Sequence, residues 1–80
     1  MIEVYVNINK ISDISEFVNC CVKTPCDVIL KSDRYSVNGK SIMGIYSLDL
    51  TKNIKVEISG NSQEEENRVF QDLRKFSVIN

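Results

Sequence analysis

The 80-residue sequence contains no histidine, one proline, three glycines and three cysteines. Each scarcity excludes something. Without histidine there is no imidazole to act as a base, and three thiols alone make only part of a zinc site. An odd count of cysteines gathered at Cys20, Cys21 and Cys26 is not a secreted disulfide framework, and adjacent Cys20 and Cys21 are poorly placed to pair with each other. So few glycines form no phosphate-cradling loop, and no nucleophile–base pair is present. Lys and Arg total 10 against 11 Asp and Glu, a net charge of −1, so the basic excess that nucleic acid or an anionic membrane selects is missing. No apolar run approaches membrane-spanning length, and the first residues lack a basic stretch followed by an apolar core. The expectation is a cytoplasmic protein that is not an enzyme, with no cofactor or metal and no direct contact with nucleic acid or membrane.

What is present points to a folded domain. Hydrophobic residues make up 42% and charged residues 26%, ordinary for a globular chain. Residues 1–80 are expected to form one domain, near the lower size limit for a single core without staples. There is no internal repeat, low-complexity stretch or linker.

Ile2, Val4, Val6 and Ile8 alternate with Glu3, Tyr5 and Asn7, the period of a half-buried strand. From Ser12 the period changes: Ile14, Phe17, Val18, Cys21 and Val22 fall on one face of a helix. Asp13 and Glu16 have capping-box spacing at its start, and Pro25 ends it. Asp27 to Ser32 reads as a second strand with Val28 and Leu30 inward. Asp33-Arg34 turns it into a third strand carrying Tyr35 and Val37. Gly39-Lys40 breaks the pattern, and Ser41 is a good N-cap for a short helix through Ile42, Met43, Ile45 and Tyr46. Ile54, Val56 and Ile58 mark a fourth strand, and Ser59-Gly60-Asn61 a turn. Ser62 and Glu65 then form a second capping box, opening a helix with Val69, Phe70, Leu73 and Phe76 on its apolar face. Glu64, Glu65 and Glu66 read as a first turn complementing the helix dipole. Tyr5, Tyr35, Phe17, Phe70 and Phe76 read as core or core-edge aromatics.

The order β-α-β-β-α-β-α, with one apolar face per strand, predicts a two-layer α+β domain. A four-stranded, mainly antiparallel sheet carries three helices on one face.

Lys40-Ser41-Ile42-Met43-Gly44-Ile45-Tyr46-Ser47-Leu48 resembles the regulatory-serine segment of HPr, the phosphocarrier of the bacterial sugar phosphotransferase system. The typical Gram-positive run is Lys-Ser-Ile-Met-Gly-Val-Met-Ser-Leu, identical or conservatively changed at eight of the nine positions. Asp27-Val28-Ile29-Leu30 resembles the family's second strand without gaps to the motif, and the HPr fold has the same element order. The departures are equally specific. The family carries its phosphoryl group on the histidine of Gly-Ile-His-Ala-Arg-Pro at the start of the first helix. Here the stretch reads Asn7-Ile8-Asn9-Lys10-Ile11-Ser12-Asp13, and the loop is about three residues shorter. Asp33-Arg34 replaces an Asn-Gly turn, and Asp49 a usual glycine.

The resemblance therefore implies a histidine-less branch like the catabolite repression HPr proteins. In such relatives the serine is phosphorylated by HPr kinase, and the product binds a transcriptional regulator. By that likeness Ser41 is the modification site, and Lys40, Ile42, Met43, Ile45 and Tyr46 form the partner surface, for a regulator or another phosphotransferase-system protein. Against it stands a purely structural reading of Ser41 as a helix cap. A different class of function would use Cys20, Cys21 and Cys26 in thiol redox or metal binding.

Overall fold

The computed structural model describes residues 1–78. Four strands and three helices follow in the order β1 (Ile2–Val6), α1 (Ile11–Val22), β2 (Asp27–Ser32), β3 (Tyr35–Asn38), α2 (Ile42–Tyr46), β4 (Ile54–Ser59) and α3 (Gln63–Leu73). A single 3-10 turn, Arg74–Phe76, extends α3. The strands pair in the order β1-β4-β2-β3, with every pair antiparallel. The expected α+β architecture is thus present, its sheet antiparallel throughout.

Alternation fixes the register. Val4 lies opposite Val56, which lies opposite Leu30, so one face of three strands is apolar. Val6, Val28, Leu30, Ile54, Val56 and Ile58 are fully buried against the helices. From the helix side Ile14, Phe17 and Cys21 of α1 and Val69 and Leu73 of α3 complete the core with Phe76. Phe17 and Phe76 meet edge to face, their centroids 5.6 Å apart. The other face of the sheet carries charges that pair across strands: Lys55 with Glu3 at 3.0 Å and Lys31 with Glu57 at 3.2 Å.

Several local expectations need correction. Helix α1 starts at Ile11 with Lys10 as N-cap, so Asp13 is its third residue and not a cap. Val22, expected on the inner face, is exposed as the helix runs out of core to cover. Tyr5 and Tyr35 are also exposed: Tyr5 projects from the charged face, and Tyr35 opens β3 at the sheet edge. In α3 the Ser62 hydroxyl accepts from the Glu65 amide at 3.2 Å, but Glu65 does not return the bond, and its buried Oε2 has no partner among the described residues. Only half of that capping box forms.

Two departures from the family's turn residues have separate solutions. Asp33 takes a positive φ of 52° at the β2–β3 turn, a conformation aspartate tolerates better than most residues. Asp49 needs no such backbone: its carboxylate accepts from the Thr51 amide at 3.2 Å and the Thr51 hydroxyl at 2.6 Å. The Thr51 hydroxyl, then the Thr51 amide, hold that carboxyl below the usual range.

Candidate docking and modification site

The segment leading into α2 is fixed by hydrogen bonds before the helix begins. The Asn38 side-chain oxygen accepts from the Lys40 amide at 2.8 Å, and its carbonyl accepts from the Ser41 amide at 3.0 Å. Between them Gly39 is buried and donates its amide to the Val28 carbonyl at 2.7 Å. A Cβ on Gly39 would lie 3.0 Å from both Cys21 Sγ and Val28 Cγ1, so only glycine fits without displacing the core.

Ser41 follows with extended backbone, and its hydroxyl accepts from the Gly44 amide at 3.2 Å. This is the N-cap bond expected of a serine there, satisfying one of the amides that a helix start leaves free. The Ser41 carbonyl accepts from the Ile45 amide at 3.1 Å, and α2 closes at Ser47, whose amide reaches the Gly44 carbonyl. Ile45 and Leu48, three residues apart, are both buried and hold the helix to the core.

The burial pattern divides the expected partner residues. Lys40, Ser41, Ile42, Met43 and Tyr46 are exposed, and of the three apolar ones Met43 is the most so at 76%. Ile45 is fully buried and is no part of the surface. On a helix this short the face containing residues 42, 43 and 46 points away from the one containing residues 45 and 48, which the sequence run alone does not reveal.

The start of α1 is built differently. Lys10 has extended backbone at the N-cap and makes no side-chain cap bond. The preceding loop is tied at its beginning, where the Asn7 amide donates to the Phe76 carbonyl at 3.0 Å. Asn9, Lys10 and Ile11 are exposed. Ile11, 73% exposed, is an apolar surface residue that sequence reasoning misses, because its spacing to Ile14 looks like core periodicity. A buried carboxylate escapes it as well. Glu66 accepts from the Gly60 amide at 2.9 Å and pairs with the Met1 ammonium at 3.0 Å. The Gly60 amide, then the ammonium, hold its carboxyl below the usual glutamate range. In the sequence nothing separates it from Glu64 and Glu65.

The cysteines occupy three environments. Cys21 and Cys26 are buried in the core; Cys20 is half-buried beside Lys23 and Glu65 in the open cleft between α1 and α3. Burial pushes the Cys21 thiol up to about 12, well away from the thiolate form that reacts. Among the described residues no cluster of His, Cys, Asp or Glu converges as a metal site. Nor is any described helix long and apolar enough to cross a membrane.

Comparisons with known proteins agree with this fold. Residues 12–77 match the family model described as the PTS HPr component phosphorylation site. The match takes in the whole Ser41 segment and begins after the loop into α1. No individual curated sequence is significantly similar to the chain. Among solved structures, HPr-C-His from Thermoanaerobacter tengcongensis superposes with a TM-score of 0.74 at 29% identity, covering 94% of this chain and 92% of that one. An HPr dimer from the same organism gives a TM-score of 0.62, also at 29% identity, with 94% of each chain covered. The histidine-containing phosphocarrier protein of Mycoplasma gives 0.69 at 15% identity, covering 92% of this chain and 93% of that one, a likeness of fold alone.

Proposed function

The chain belongs to the HPr family of the phosphotransferase system, whose members are phosphocarriers working through other proteins and not enzymes. From that premise we propose that this member carries no phosphoryl group on its first helix and acts as a regulator through Ser41. The observation that carries the reading is an exposed cap hydroxyl inside a nearly complete regulatory motif, in a chain without histidine. Phosphoryl relay at neutral pH needs an uncharged nitrogen nucleophile, and imidazole, with a pKa of about 6.5, supplies one. A lysine ammonium such as that of Lys10 has no free lone pair to offer. Phosphate on Ser41 would instead add about 1.5–2 negative charges and several acceptor oxygens to the surface. Exposed Ile42, Met43 and Tyr46 supply apolar contact beside it, and Lys40 a cation. By family resemblance the partners are HPr kinase and then a transcriptional regulator or another phosphotransferase-system protein, met in the cytoplasm. Tyr46, in place of methionine, adds an exposed phenol to that patch.

A thiol-based role draws less support, because two of the three cysteines are buried and only Cys20 reaches solvent.

The test uses two incubations. Enzyme I with phosphoenolpyruvate should leave the protein unlabelled, and stoichiometric acid-labile phosphate would refute the loss of relay. HPr kinase with ATP should add one phosphate, absent in Ser41→Ala. An unmodified wild type would reduce the segment to a helix cap.

A further inference from the structure

Backbone conformation does not demand a glycine at position 44, since no glycine among the described residues has a positive φ. Gly44 lies inside α2, where glycine is a poorer helix former than alanine. Its use calls for a reason in space. A Cβ on Gly44 would lie 3.2 Å from Ser41 Oγ, 3.3 Å from Val37 Cβ and 3.5 Å from Ser41 Cβ. The first two contacts are tighter than side-chain carbons ordinarily make. The Val37 Cβ is fixed by the β3 backbone and cannot yield. The Ser41 side chain can, by turning about a single bond, and in turning it would leave the Gly44 amide.

Resting on the Ser41 reading above, we propose that Gly44 is a positioning residue for phosphorylation. Its missing side chain keeps the Ser41 hydroxyl seated over the Gly44 amide and leaves room beside it for a phosphoryl group. In the reaction Ser41 Oγ forms a bond to the terminal phosphorus of a nucleoside triphosphate. The bond from that phosphorus to the departing diphosphate breaks, and the hydroxyl proton passes to a base on the kinase. The incoming group places three oxygens around Ser41 Oγ, on a side that a Cβ at residue 44, 3.2 Å from Oγ, would crowd. The Gly44 amide, which already donates to Oγ at 3.2 Å, then stands beside them as a backbone donor.

A residue kept only for packing would affect folding and modification together; a positioning residue separates them. Gly44→Ala should unfold within a few degrees of wild type, because better helix propensity offsets the crowding. Its kcat/KM as a substrate of HPr kinase should fall by about tenfold or more, as expected when a reacting atom is displaced. In the wild type, phosphorylation should move the Gly44 amide proton downfield in the NMR spectrum more than any amide outside residues 40–43. That measurement decides the matter even where the variant does not fold. Gly44→Ala modified at the wild-type rate, or a Gly44 amide that does not respond, overturns the assignment while the Ser41 reading stands. A wild type that the kinase leaves untouched overturns both.

Discussion

Two helix starts in this molecule face the same physical problem and solve it unequally. At α2 the amides of Gly39, Lys40, Ser41 and Gly44 all have partners, supplied by the Val28 carbonyl, by Asn38 and by the Ser41 hydroxyl. At α1 the N-cap residue is Lys10, whose side chain has no acceptor to offer, and the next residue is an exposed isoleucine. Lysine is also the wrong charge for the positive end of a helix. By the family resemblance, the start of α1 corresponds to the histidine loop, and the start of α2 to the segment proposed above for modification at Ser41. The contrast teaches that one fold can leave one helix start without a side-chain cap while another keeps a serine cap and a bonded approach. Helix α1 withstands its poor start because twelve residues of it bury Ile14, Phe17 and Cys21. The five residues of α2 have no such reserve and depend on how they are pinned.

That dependence gives the largest expected effect. Ile45 is the buried anchor of α2, and Ile45→Ala should cost about 2–5 kcal/mol in denaturant unfolding. Met43→Ala, on the opposite face and mostly exposed, should stay within about 0.5 kcal/mol. Similar losses from the two variants would mean that α2 is not held as described, and the surface it presents would have to be redrawn.

The unequal helix starts also mark where sequence reasoning succeeds. Ile54–Ser59 is legible because it alternates strictly, and Asp27–Ser32 because Val28 and Leu30 mark one inward face; the pairing of Val28 with Ile58 brings those faces together. Ser41 is legible because a cap hydroxyl with a short apolar run behind it has few alternatives. The start of α1 is not. Asp13 and Glu16 imitate a capping box inside a helix that begins two residues earlier, at exposed Ile11 and Ser12, which neither burial nor a side-chain cap marks. Ile45 cannot be told from its neighbours because five residues are too few to express a helical period. Glu66 is hidden for a related reason: three glutamates in a row differ only in which one the helix turns toward Gly60.

A smaller effect belongs to the cap of α2. Ser41→Ala removes the only side-chain bond to the Gly44 amide among the described residues and should cost about 1 kcal/mol. Ser41→Asp should keep most of that stability, because a carboxylate also accepts from the amide and suits the helix start. A Ser41→Ala variant as stable as wild type would mean that the cap bond contributes nothing, leaving phosphorylation as the only use for the hydroxyl.

The smallest effect is a gain, at the weaker helix start. Lys10 already has the extended backbone of an N-cap, with φ −107° and ψ 145°, and lacks only an acceptor. Lys10→Ser supplies a hydroxyl within reach of the amides of Ser12 and Asp13 without adding a charge close to the Asp13 carboxylate. Stability should rise by about 0.5–1 kcal/mol, at the lower end of what such caps contribute, since the loop tied at Asn7 need not rearrange. For a domain of this size that is a rise of roughly 2–8 °C in the thermal midpoint. Lys10→Met separates the two faults of lysine, because it removes the misplaced charge and provides no acceptor. If serine and methionine raise the midpoint equally, charge alone weakens the start of α1 and the missing cap is irrelevant. If serine gains clearly more, the two helix starts differ by one hydrogen bond that a single substitution restores. No change with either would mean that solvent satisfies the amides of α1 as well as Ser41 satisfies those of α2, and the inequality between the two helices would vanish.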